Sequence, residues 1–170
     1  MARRIDHRTR SRWNAKTVYT TLVDPAYLNE RLKVLGGRTA SLAEHRVDAD
    51  SGATIKLRHG VAAENLPPAV RMLLGGDLMI DRAETWRPDG SGGYTGTVSV
   101  TIAAMPGELG GTQRLTDTGT QGSELVLDGS VSIPLPFVGG KIEETVAGQI
   151  AALLDSEHAF TEKWLEQHQA

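Results

Sequence analysis

The chain contains no cysteine. That excludes disulfides, thiolate metal sites and thiol nucleophiles together. Aromatic residues are scarce too, 5% of 170 residues, and no apolar run approaches the ~18 residues a bilayer-crossing helix requires. The start of the chain is basic, but no apolar segment of ~7 to 15 residues follows it as in a secretory signal. The expected location is therefore the cytoplasm, with no transmembrane segment. Charge of one sign is also missing: 18 Lys and Arg stand against 21 Asp and Glu, for a net charge of -3. Nothing general here points to nucleic acid. The local exception is Arg3, Arg4, Arg8, Arg10 and Arg12. With one exception these alternate with Ile5, His7, Thr9, Ser11 and Trp13, as on the wet face of an edge-exposed strand. A 39% hydrophobic, 23% charged composition without an internal shift fits one domain over residues 1–170.

What is present is organised around the C-terminus. From Val138, apolar residues recur at Ile142, Val146, Ile150, Leu153, Phe160 and Trp164, the spacing that lines one side of a helix. A helix over residues 138–165 would be a rod of ~42 Å, with Glu143 and Glu144 suiting the dipole of its first turn. Such a half-apolar rod needs a broad partner surface, and the preceding chain reads mostly as strands. Residues 3–13 alternate in period two. Asn14 then caps a short helix to about Leu22, and Asp24 with Pro25 starts a second to about Val34, stopped by Gly36 and Gly37. Residues 38–48 and 53–60 form a hairpin across Asp50, Ser51 and Gly52, with Ile55, Leu57 and His59 facing one way. Leu66 to Gly76 reads as a loop with one or two helical turns, rich in large apolar side chains. Further strands follow at 78–87, 94–103, 111–118 and 123–133, with turns at Gly90 to Gly93 and Gly107 to Gly111. This is an α+β chain: a curved antiparallel sheet of about seven strands, two short helices after the first strand, and a long terminal helix.

That order resembles the helix-grip fold of the START-like, or SRPBCC, superfamily, which includes polyketide cyclases. The resemblance is strongest in Pro134-Leu135-Pro136-Phe137-Val138-Gly139-Gly140-Lys141-Ile142-Glu143 and in Glu84-Thr85-Trp86-Arg87-Pro88-Asp89. The combination resembles a functionally uncharacterised branch of that superfamily common in actinobacteria. The resemblance implies a cavity between sheet and helix, and relatives range from lipid carriers to aromatases and cyclases, so fold alone does not choose among them.

The histidines lack zinc-motif spacing, so no metal is expected; nor is there a G-x-S-x-G elbow or a phosphate loop, and no cofactor is expected. Alternation puts His7 and His59 on the faces of Ile5 and Ile55, where each either serves a cavity or is a hydrogen-bonded structural histidine. Glu84 and Arg82 beside Trp86 either floor a pocket or form an outward cross-strand ion pair. Gly148, costly inside a helix by roughly 1 kcal/mol, implies either a closely packed neighbour or room for a ligand. The apolar set is broader. From the first half come Trp13, Leu57, Met72, Leu73 and Met79, from the middle strands Trp86, Val98, Val100, Ile102 and Met105, and from the last elements Val131, Val146, Ile150 and Leu153.

Three readings follow. One is binding or carriage of a hydrophobic or amphipathic small molecule, lipid-like or polyketide-like, with residues 66–76 as a lid. The second is a cyclase or aromatase-like enzyme using His7, His59 or Glu84. The third is a protein-interaction module acting through the Arg3 to Arg12 strand. The sequence sets neither the ligand nor the oligomeric state.

Overall fold

The structure is a computed structural model that describes residues 2–50, 52–103 and 105–169. Its elements run β1 (Arg3–Ser11), α1 (Ala15–Leu22), α2 (Pro25–Leu35), β2 (Ser41–Val47) and β3 (Ala53–Val61). Next come a 3₁₀ turn (Ala63–Asn65), α3 (Pro68–Leu74), β4 (Leu78–Pro88), β5 (Tyr94–Ile102), β6 (Glu108–Thr118), β7 (Gly122–Ser132) and α4 (Gly139–His168). The strands form one curved seven-stranded sheet in the order β1-β7-β6-β5-β4-β3-β2, every neighbouring pair antiparallel. Helix α4 lies against β1 and β7, with α1 and α2 beside it. This is the helix-grip arrangement.

Local chemistry starts and stops the short helices as the sequence requires. Asn14 Oδ1 accepts a hydrogen bond from the Thr17 amide at 2.8 Å, and Asp24 Oδ1 accepts from that of Ala26 at 3.1 Å. Each satisfies a donor that the first helical turn leaves unpaired. Pro25 opens α2 and Gly36 closes it. In the hairpin of β2 and β3, Ile55, Leu57 and His59 are buried while Lys56 and Arg58 are exposed; Ser51, at the expected turn, lies outside the described residues.

Two junctions differ from expectation. Strand β6 begins at Glu108, and Gly110 and Gly111 sit inside it rather than in a turn. A side chain at Gly111 would put its Cβ 2.2 Å from the Asp128 carbonyl oxygen, so the glycine is required by a close strand approach, not by a turn. Helix α4 begins at Gly139, one residue later than the periodicity suggests, and Glu143 and Glu144 still lie beyond its first turn. Glu143 is buried there and its Oε1 accepts from the Ile133 amide at 2.8 Å, pinning the helix to the end of β7. Gly139 is fixed by the same closeness, since a Cβ would lie 2.3 Å from the Ile133 carbonyl.

The interior has two unlike halves. Towards α1, α2 and the C-terminal half of α4, Tyr19, Tyr27 and Trp86 are buried with Leu28, Ile55 and Leu115, and Trp13, Tyr94, Phe160 and Trp164 pack around them. The other half joins Ile5, Leu66, Val70, Leu78, Val131, Ile133 and Ile142 and is aliphatic throughout.

Gly148 answers neither expectation. It is exposed on α4, with nothing within 4 Å of where its Cβ would be. Gly148→Ala is therefore expected to stabilise the fold by about 1 kcal/mol through the unfolded chain and helix propensity. Thermal unfolding followed by circular dichroism should show a rise of roughly 2 to 4 °C; no rise would mean the glycine is needed in the folded state.

Candidate functional site

The site is built where the two halves meet. On β4, the residues that share a face with Leu78, Ile80 and Trp86 are Arg82 and Glu84, and both point inward and are buried. The outward ion pair allowed by the sequence is thereby replaced by a buried one. Arg82 Nη2 and Nε donate to Glu84 Oε1 at 2.8 and 3.2 Å, and Nη1 donates to both carboxylate oxygens of Glu157 on α4 at 3.0 Å. Arg31 of α2 adds a second cation, its Nε 3.7 Å from Glu157 Oε2. One turn along α4, the Thr161 hydroxyl donates to the Glu157 carbonyl and meets the Tyr27 hydroxyl. Two arginines and two glutamates thus neutralise one another between sheet, α2 and α4.

Charge in this setting is held by its partners. Burial works against a charged Glu157, yet Arg31 and Arg82 outweigh it and hold the carboxyl down to about 2. Burial likewise opposes the charge on Arg82, and Glu157 and Glu84 more than restore it, raising its pKa. His59 has no such anion of its own. Burial first, then the positive Arg82, press its imidazole down to about 4, so it is neutral at neutral pH.

On the aliphatic side of the network lies a cavity of about 250 Å³ between the sheet and α4. Val98, Val100 and Ile102 of β5 and Val146, Ile150 and Leu153 of α4, six of the apolar residues singled out in the sequence, lie on its wall. Its floor includes Gly110, Gly111 and Gly129, and Leu66, Pro67 and Val70 cover it from the 66–76 segment. Two of the polar side chains on its wall are buried, Arg82 and His59, and His59 Nε2 has no hydrogen-bond partner among the described residues; Asn65, Ser130, Thr145 and Gln149 line it from less buried positions.

The remaining sequence candidates are elsewhere, each for a definable reason. Met72 is 86% exposed and Leu73 49% exposed, because α3 turns Val70 inward and carries Met72 to the opposite side. Met79 has the parity of the outer face of β4 and accepts a hydrogen bond from Thr39. Leu57 is sealed in the aromatic half, Trp13 packs at its rim under Arg12, and Trp86 borders a second, smaller chamber. Met105 and Val131 surround a separate crevice with Val100 and Ile102. Of the proton-handling candidates, only His59 faces the larger cavity. His7 Nε2 pairs with Asp155 Oδ1 at 2.7 Å across the β1 and α4 contact, and Glu84 is engaged by Arg82. The basic strand is charge-compensated on its own surface, with Arg4 on Asp128, Arg10 on Glu124 and Arg12 on Glu166.

Sequence reasoning missed Arg31, Glu157 and the glycine floor. Arg31 lies four residues after Tyr27 and Glu157 four after Leu153, both on inward helical faces, so the spacing carried a signal.

Removing one partner of the network leaves a buried charge uncompensated, and Glu157→Gln is expected to cost about 3 to 5 kcal/mol in urea unfolding. The pH dependence has a definite sign. His59 folds with a lowered pKa, so the unfolded chain binds more protons between pH 6.5 and about 4. Stability is full above that window and falls on acidification, by up to about 1.4 kcal/mol per pH unit. Glu157 adds a later loss, as pH drops from 4.5 through about 2. His59→Leu should flatten the first slope; an unchanged slope would contradict a buried neutral imidazole.

The comparisons agree with this geometry. Residues 6–165 match the family described as Protein of unknown function (DUF2505). An uncharacterized protein of Mycobacterium tuberculosis is 32% identical over 157 residues, covering 89% of this chain and 90% of its own. Among solved structures, a protein from Thermus thermophilus gives a TM-score of 0.67 at 15% identity, covering 99% of this chain and 100% of that one. The Zhui aromatase/cyclase from Streptomyces gives 0.64 at 9% identity, with 100% and 97% covered. A START superfamily protein from Mycobacterium smegmatis gives 0.56 at 14%, with 96% and 97% covered. At such identities the structures share the fold and nothing finer. On the sequence match, the chain belongs to the DUF2505 family, and its fold is the START-like helix grip.

Proposed function

We propose that the chain binds or carries a hydrophobic or amphipathic small molecule, lipid-like or polyketide-like, between the sheet and α4, as one cytoplasmic unit. The observation that carries this reading is the cavity of about 250 Å³ with an aliphatic wall, just below the ~300 to 1,000 Å³ usual for small-molecule sites. Apolar walls reward burial of an apolar ligand by roughly 25 cal/mol per Å². Among the described residues no helix is long and apolar enough to cross a membrane. The 66–76 segment, which lays Leu66, Pro67 and Val70 over the cavity and ends in Gly75 and Gly76, serves as the cover through which the ligand passes.

A second reading is favoured by one observation, the unpartnered His59 Nε2 on the cavity wall. In an enzyme of the aromatase/cyclase kind, the activity carried in one structural neighbour's name, a neutral imidazole would accept a proton from a bound carbonyl compound.

Native mass spectrometry of gently purified protein, then soaking with apolar compounds, tests the first reading. Val146→Trp should fill the cavity and weaken uptake at least about tenfold, with circular dichroism unchanged. A chain that takes up no apolar compound overturns the proposal. For the second reading, His59→Ala should abolish turnover while binding persists; equal loss of both leaves carriage alone.

A further inference from the structure

Beyond the ionic network lies the smaller chamber, about 70 Å³, bounded by α1, α2, the sheet and α4. It differs chemically from its neighbour. Arg31 Nε and Nη2, Gln113 Nε2 and Ser123 Oγ are buried on its wall without a hydrogen-bond partner among the described residues, as is the acceptor Glu162 Oε1. Arg31 and Gln113 are 4% exposed and Ser123 1%. Each unpaired buried group costs on the order of 1 to 3 kcal/mol, and native interiors seldom leave one so. Here donors from α2, β6 and β7 meet an acceptor from α4 in a single space.

The two chambers adjoin. Arg82, Leu127 and Leu154 line both, so Arg82 is the polar part of the partition and two leucines are the rest. Charge selects what can cross. Glu84 and Glu157 already offset Arg31 and Arg82, and Glu162 adds a negative charge, so a carboxylate entering here would be repelled while a neutral group would not.

Resting on the reading of the larger cavity as an apolar ligand site, we propose that the ligand is elongated. Its apolar body fills the larger cavity, and a neutral terminal group bearing both an acceptor oxygen and a donor hydrogen, of the carboxamide or hydroxy-carbonyl class, passes Leu127 and Leu154 into the polar chamber. The oxygen accepts from Arg31, Gln113 and Ser123, and the hydrogen is donated to Glu162. The smaller chamber sets specificity, whereas the larger one supplies affinity.

The test is displacement of Nile red from the intact protein by ten-carbon chains ending in a primary amide, a carboxylate or a methyl group. The amide should bind about tenfold tighter than the methyl-ended chain, roughly the worth of one buried hydrogen bond, and tighter than the carboxylate. Gln113→Leu with Ser123→Ala should abolish that preference and leave the methyl-ended chain unaffected. If the double variant does not fold, Ser123→Ala alone should reduce the preference. Equal affinities for amide and methyl overturn the proposal while leaving the apolar cavity intact, as does a preference that survives the substitutions. A carboxylate that binds tightest overturns the neutral assignment. Failure of all three chains to displace the dye removes this inference together with the reading beneath it.

Discussion

Arg82 reaches from β4 to Glu157 on α4, and the spacing of the long helix from the sheet follows from that contact. An arginine and a glutamate meeting end to end hold their backbones farther apart than interdigitated aliphatic side chains would. The pair is buried, so its attraction has to offset a large desolvation cost, and it does so only because Glu84 and Arg31 complete the charge balance. An apolar substitute of equal volume could be as stable. What it would not do is divide the interior, keeping the aromatic half and the aliphatic half as separate compartments with a charged partition between them.

Much of the fold could be read from local pattern. Asn14, Asp24 with Pro25, and Gly36 punctuate the helices by hydrogen bonds and backbone preference that act within a few residues, and alternation in β3 and β5 reports burial directly. Reading failed where a residue answered to something distant. Gly110 and Gly111 look like a turn, and only the approach of β7 explains them as strand. Glu143 looks like a helix-dipole residue, and only the Ile133 amide explains its burial.

The candidate site shows the same division more sharply. Parity on β4 put Arg82 and Glu84 with Leu78, Ile80 and Trp86, so their inward direction was legible; charge argued the other way. Period-two geometry prevailed because a compensating glutamate stands on a helix 75 residues further on, a partnership no local pattern expresses. Met79 fails for the converse reason: its chemistry suits a cavity and its parity does not. Met72 and Leu73 were grouped with the cavity by composition, whereas a helix of seven residues turns only one face inward.

The cavity itself follows from where the rings are. Between Tyr27 and Trp86, and again between Tyr94 and Phe137, the chain has no aromatic residue. Tyr19 stacks on Tyr94 and meets Trp86 edge-on, while Tyr27, Phe160 and Trp164 form a second group in the same half. Phe137 is fully exposed. The wall of the other half therefore comes from aliphatic side chains, and the floor there from Gly110, Gly111 and Gly129. Those glycines cannot gain side chains, because a Cβ at each would collide with the backbone of the neighbouring strand. Close strand approach strips the floor, the Arg82 and Glu157 contact holds the roof away, and rings large enough to bridge the gap have been placed at the opposite end. An interior closed on all three counts has no simple way to pack solid, which makes the space a consequence of the same constraints that stabilise the fold.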